Sequence, residues 1–128
     1  MIRVYVNKQL NYPVKSPRIK KKLAEFLQKR GIVSDSLVYI YFVGENKMKD
    51  LSAKFLKERN KVHDVLSFPG NEVKGRFVYP DNIIRLGEIY ICYPEVVKEA
   101  KKENILIDDK IDFLIEHGGM HLLGEHHE

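Results

Sequence analysis

The stretch Asp108-Asp-Lys-Ile-Asp-Phe-Leu-Ile-Glu-His-Gly-Gly-Met-His121, continued by Leu122-Leu123-Gly124, decides the fold. Ile111, Phe113, Leu114, Ile115, Met120, Leu122 and Leu123 occupy most of the circumference of a helix. A helix apolar nearly all round is stable only when its neighbours exclude water from it. The pattern therefore predicts a central C-terminal helix. It starts near Asp108, whose carboxylate can cap it, and runs through His121.

Working outward, residues 86–92 (Leu-Gly-Glu-Ile-Tyr-Ile-Cys) read as a strand, and Pro94 opens a helix to about residue 103. Asp64-Val-Leu-Ser-Phe68 is a short strand stopped by Pro69-Gly70, with a loop or ribbon over 71–85. A helix over about 47–57 turns Met48, Leu51, Phe55 and Leu56 inward. Residues 37–43, rich in β-branched and aromatic types, form a central strand. Ser16-Pro17 reads as an N-cap with proline at the first helical position. Ile19, Leu23, Phe26 and Leu27 then recur at helical spacing as far as Gly31. Residues 2–6 alternate as a first strand.

This order gives one α+β domain over residues 1–128. A small mixed or mostly antiparallel sheet of about four strands packs with helices around the central C-terminal helix, the close spacing of the late strands favouring antiparallel pairing.

Composition narrows the class. At 128 residues the chain can bury one real core, and 44% hydrophobic against 31% charged residues is a globular balance. The single cysteine, Cys92, allows no disulfide within the chain, so a reducing cytoplasm is the expected setting. The N-terminus reads as a strand rather than a signal peptide, and no run approaches a membrane span. A net charge of +4 and a pI of 9.1 suit an anionic partner such as nucleic acid, though lysines also simply solvate surfaces.

The chemistry sits at the end of the deciding stretch. His117 and His121, four apart, stack on one helix face. Gly124 can take the left-handed conformation that ends a helix, so that a histidine three residues on turns back toward the same point. His117, His121 and His127 together suit one divalent transition-metal ion, zinc first, with a fourth position left for water as in catalytic sites. His126 competes with His127 for the third place, and the register with Gly124 favours His127. A histidine pair on a helix is often only core or surface. Here the third histidine argues for a ligand set, and so do two mid-helix glycines, Gly118 and Gly119, each costing about 1 kcal/mol relative to alanine. Either close packing or room for a ligand requires that bare backbone.

The spacing His-x-x-x-His-x-x-Gly-x-x-His resembles that of metzincin proteases, but those carry a glutamate general base directly after the first histidine, where this chain has Gly118. Peptide hydrolysis lacks its base.

The histidine tail, together with Asp64-Val-Leu-Ser-Phe-Pro69 and Leu86-Gly-Glu-Ile89, resembles the YbeY family of rRNA maturation endoribonucleases over most of the chain. The resemblance implies an α+β fold, a zinc-type site and a cytoplasmic, single-strand-specific endoribonuclease. Its implied roles are maturation of the small-subunit rRNA 3′ end and ribosome quality control. Its implied partners are precursor rRNA and the small ribosomal subunit. It also implies that Arg59, the match to an arginine thought to contact phosphate, works beside His117 in catalysis. Around them, Arg59, Lys61 and Ser67 would bind substrate, with Lys54 and Lys57 extending a basic track; each also reads as an ordinary solvated residue. Phe68 and Tyr90 can stack on a base or pack in the core. The chain departs from the family at His63, where threonine is usual, and at His126, where aspartate is usual. The family also continues with a further helix beyond this motif, so a shortened and more open C-terminal region is expected. Two other classes stay open: a metal-dependent hydrolase of another substrate, and a ribosome-associated factor whose zinc only ties down the tail.

Overall fold

The computed structural model describes residues 1–70 and 83–124. In chain order it has β1 (Ile2–Lys8), α1 (Ser16–Lys29), β2 (Ser36–Val43), α2 (Glu45–Leu56), β3 (Val65–Pro69), β4 (Ile84–Cys92), α3 (Tyr93–Glu103) and α4 (Ile107–Leu122). The expected elements are all present with ends moved by a few residues. The expected loop or ribbon falls mostly at 71–82, outside the described residues.

The four strands form one mixed sheet in the order β1-β2-β4-β3. The expectation of a mostly antiparallel sheet is corrected: β1 pairs with β2, and β2 with β4, in parallel, and only β3 runs against β4. Between β1 and β2 the chain returns through helix α1, which makes a parallel pair possible. The closeness of the late strands identified the one reversal correctly but said nothing about the other two pairs.

Alternation along the strands separates two faces. Val4, Val38, Ile40, Phe42, Ile89 and Ile91 point toward α1, α3 and α4 and form the main core. Val43 and Cys92 point the other way, against Met48 of α2, with Tyr41, Leu66 and Tyr90 beside them. The Cys92 thiol is buried there, and burial pushes its pKa up to about 11, so it packs as a small apolar group rather than serving as a nucleophile. Gly87 in β4 has φ +137°, and a Cβ there would stand 2.2 Å from the Phe68 carbonyl oxygen. Only glycine lets β3 approach β4 at this point.

Helix α4 lies where the pattern placed it, packed against β3, β4, α1 and α3, with Ile111, Leu114, Ile115, Gly118, Gly119 and Leu122 buried. Phe113 is the exception, 61% exposed. Its neighbours leave one strip of α4 open, and Phe113 falls in it, one helical turn before the half-buried His117. Phe55 and Leu56, expected inward at the end of α2, are also exposed, while Met48 and Leu51 are buried.

The capping expectations change too. The N-cap of α4 is Leu106, with no side-chain cap, and Asp108 sits inside the first turn. There it favours the helix dipole and lies 3.2 Å from Lys15 Nζ. Lys15, not Ser16, is the N-cap of α1, with Pro17 in the first turn as expected. Two longer-range pairs fix the start of α4. Arg18 of α1 donates from both terminal nitrogens to the Asp112 carboxylate, at 2.9 and 2.6 Å. Lys110 is buried and donates to Glu103 at 2.9 and 3.1 Å, with Glu99 Oε1 3.3 Å away. Burial alone would lower the Lys110 pKa, but Glu103 and Glu99 outweigh it and raise it. Glu99 is pushed up by burial and by its hydrogen bond with Asp64.

Candidate functional site

The last two turns of α4 lie close against the sheet and α1 because Gly118 and Gly119 carry no side chain at the points of approach. A Cβ on Gly118 would sit 2.9 Å from Ile89 Cγ2 and 3.1 Å from Ser67 Oγ; one on Gly119 would sit 3.2–3.3 Å from Leu23 and Phe26 of α1. The two glycines thus serve close packing on opposite sides of the helix, toward the sheet and toward α1. The cost of about 1 kcal/mol each in helix propensity is met by that approach.

The approach leaves a cleft of about 200 Å³ between α4 and β3, lined by Val65, Leu66, Ser67, His117 and His121. The two imidazoles meet in it. Their Nε2 atoms are 3.0 Å apart, and their rings cross at 73° with centroids 4.6 Å apart. Two nitrogens bound to one tetrahedral zinc at about 2.0–2.1 Å would lie about 3.3 Å apart. The pair therefore needs only a small opening to point both lone pairs at one ion. Imidazole nitrogens are the right donor chemistry for a divalent transition metal.

At the end of the helix Gly124 has φ +79°, and its N–H donates to the His121 carbonyl at 3.0 Å. This is the left-handed stop expected of it. His126 and His127, the competing third donors, lie outside the described residues. Among the described residues no third His, Cys, Asp or Glu joins the pair.

The remaining candidates separate. Ser67 forms a wall of the cleft. Arg59 and Lys61 are exposed in the connection 57–64 that leads from α2 into β3, as are Lys54 and Lys57 at the end of α2. None of these four lies among the described walls of the cleft. His63 is occupied by Glu58, with Nε2 3.0 Å from Oε1. Phe68 and Tyr90 pack on each other edge to face at 5.8 Å, on the sheet face opposite α4, and the Tyr90 hydroxyl donates to Glu88 at 3.3 Å. Burial, first, and the neighbouring Glu88 raise the Tyr90 pKa, so it stays a neutral phenol. The packing reading of these two aromatics is the one the fold bears out.

Residue reading by itself missed the cleft's apolar wall, Val65, which was visible only as part of a strand. It also missed the exposure of Phe113. The signal for that was available: Phe113 stands four residues before His117, hence on the imidazole side of the helix.

Comparison with known proteins converges on one description. A family model described as "Endoribonuclease YbeY" matches residues 5–128. A relative of that name from Dehalococcoides mccartyi is 32% identical over 136 aligned positions, covering 99% of this chain and 78% of the relative. Another, from Bartonella quintana, is 32% identical and covers 95% of this chain and 73% of its own length. A third, from Thermodesulfovibrio yellowstonii, is 39% identical over 92 positions, 72% of this chain; the match spans only 54% of that relative. Among solved structures, the solution structure of TM1509 from Thermotoga maritima superposes with a TM-score of 0.64 at 27% identity, over 98% of this chain and 75% of that one.

Proposed function

The chain belongs to the endoribonuclease YbeY family, and from that premise we propose that it is a metal-dependent endoribonuclease that cuts single-stranded RNA. Its place would be in the cytoplasm, in small-subunit rRNA 3′-end maturation and ribosome quality control, with precursor rRNA and the small subunit as partners. The observation that carries the reading is the cleft itself. Two imidazole nitrogens stand 3.0 Å apart on a buried helix, against an edge strand whose Ser67 faces them.

In this reading His117 and His121 hold a divalent ion, zinc first, with His127 as the third donor by its spacing beyond Gly124. When bound, such an ion supplies Lewis-acid stabilisation of the negative charge that develops on the phosphoryl oxygens. The chain's own residues do the rest. The Ser67 hydroxyl donates a hydrogen bond to a phosphate oxygen placed in the cleft. Val65 excludes water from one side of it, which strengthens every charge interaction within. Arg59 offers a planar fork that fits phosphate bidentately, and Lys61, Lys57 and Lys54 add attraction along the strand's approach. Arg59 acts on the backbone of the strand outside the cleft walls, so its contribution is to hold the RNA in register. Gly118 offers no carboxylate beside the ion, which disfavours peptides as substrates.

The test is single-turnover cleavage of a single-stranded RNA by wild-type, His117→Ala and Arg59→Glu proteins. Loss of cleavage in the first variant and weakened binding in the second are expected. Wild-type rates in both, with contaminating nuclease excluded, would sink the assignment. Metal analysis of protein purified without an affinity tag checks the ion separately, with about one transition metal per chain expected.

A further inference from the structure

We propose that Phe113 is the stacking platform for a nucleobase of the RNA strand, beside the phosphate held at His117 and His121; the proposal rests on the endoribonuclease reading above.

Phe113 is out of keeping with its helix. Ile111, Leu114, Ile115 and Leu122 are 7% exposed or less, whereas Phe113 is 61% exposed. An aromatic ring this exposed gains little for the fold from burial. It sits where a ligand would use it. Its ring lies 6.2 Å from the His117 ring, with the two planes only 14° apart, so the phenyl and the imidazole present nearly parallel surfaces side by side along α4. In a nucleotide the base is one sugar removed from its phosphate. A strand whose phosphate enters the cleft at His117 therefore brings a neighbouring base into reach of the next ring along the helix.

The surroundings favour a base over an apolar partner surface. Phe113 is a single exposed ring on α4, flanked by the polar or charged residues Asp109, Asp112, Glu116 and His117, with the exposed apolar Leu106 two turns away at the N-cap. Lys110 Nζ lies 5.6 Å from its centroid, and that ammonium is already committed to Glu103 and Glu99. The ring is thus not needed to neutralise the lysine. One planar group with a polar border suits one planar base, and stacking is tolerant of base identity because every base has a π-face. Stacking of an unpaired base also explains how an enzyme of this kind would favour single-stranded RNA, since a paired base is not free to swing onto a ring.

The test uses the full chain loaded with zinc, and steady-state cleavage of a single-stranded RNA together with its abasic derivatives, in which one nucleotide at a time lacks its base. The proteins compared are wild type, Phe113→Ala and Phe113→Tyr. Phe113→Ala should raise KM about tenfold, the loss falling on KM rather than on kcat. Phe113→Tyr, which keeps the ring, should restore it. One abasic position should cost the wild type the same factor and cost Phe113→Ala nothing. Equal KM for wild type and Phe113→Ala, or abasic penalties that are the same in both at every position, would overturn the proposal while leaving the nuclease reading intact. So would a wild type that sediments as a dimer while Phe113→Ala sediments as a monomer, because the ring would then belong to a contact between copies. A wild type that cleaves none of these RNAs fails the nuclease reading instead.

Discussion

The first and second halves of α4 meet the rest of the protein by different means. At the start, long charged side chains reach out to fixed partners: Lys15 meets Asp108, Arg18 grips Asp112 with both nitrogens, and Lys110 is held by Glu103 and Glu99. At the end, Gly118 and Gly119 remove side chains altogether, and the backbone lies against Ile89 and Ser67 on one side and Leu23 and Phe26 on the other. The charged half sets where the helix is. The bare half sets how closely it approaches, and only there do two imidazoles face a strand across a narrow cleft. One helix can thus be anchored firmly at its start while Gly118 and Gly119 leave its working end without side chains at the points of approach.

Substitutions can break this division of labour. The largest effect belongs to the anchored half: Ile111→Ala should cost about 2–5 kcal/mol of stability by cavity formation, read from urea unfolding. The protein that remains folded should keep its cleavage rate. Next, His117→Ala should lower single-turnover cleavage by about a hundredfold or more while leaving the unfolding midpoint, measured with chelator for both proteins, nearly unchanged. A large loss of stability in that variant would mean that the imidazole is structural and would erase the distinction between the halves. Third, Gly118→Ala should lose about 1–3 kcal/mol by overpacking against Ile89 and Ser67, less about 1 kcal/mol regained in helix propensity. It should also impair cleavage, because Ser67 must give way. Gly119→Ala, facing Leu23 and Phe26, should cost some stability but leave cleavage closer to normal.

The smallest effect concerns pH at the charged end. Burial and Asp64 raise the folded-state pKa of Glu99 above its ordinary value of 4.5. Stability from such a group is fully present below that value and is lost as pH rises through the folded pKa. As pH rises above 4.5 the wild type should therefore lose ground against Glu99→Gln, which cannot ionise, in unfolding measured at a series of pH values. The opposite trend would show that pairing with Lys110 outweighs the burial of Glu99.

Much of this was readable in advance, because it rests on local repetition. The helix over Ser16–Lys29, the strand at 36–43 and the burial of α4 follow from side-chain period, and the turn at Gly124 from the absence of a Cβ. The pairing of His117 with His121 follows from helical pitch. What could not be read depends on partners distant in the chain. Strand direction between β1, β2 and β4 is set by how the connecting segments pack, which periodicity does not encode. The grip of Arg18 on Asp112 joins residues 94 apart in sequence. Asp108 resembled a cap, yet the helix starts one residue earlier, and its carboxylate turns to Lys15 instead. Phe113 and Phe55 looked like core because hydrophobicity reports what a residue would gain from burial, not whether a neighbour arrives to bury it.

The order of the sheet has a consequence for how the protein comes to be. Strand β4 lies between β2 and β3, although both precede it in the chain. Among the described residues β3 touches the sheet only through β4, so within them the wall that carries Ser67 has nothing to pair with until residues 84–92 have been synthesised. Until then the inner edge of β2, with its run of Val38, Ile40 and Phe42, is an open template of unpaired backbone. Sheet closure is therefore a late and non-local event in the folding of this chain. During synthesis that edge is where a growing chain is most exposed to pairing with the wrong strand.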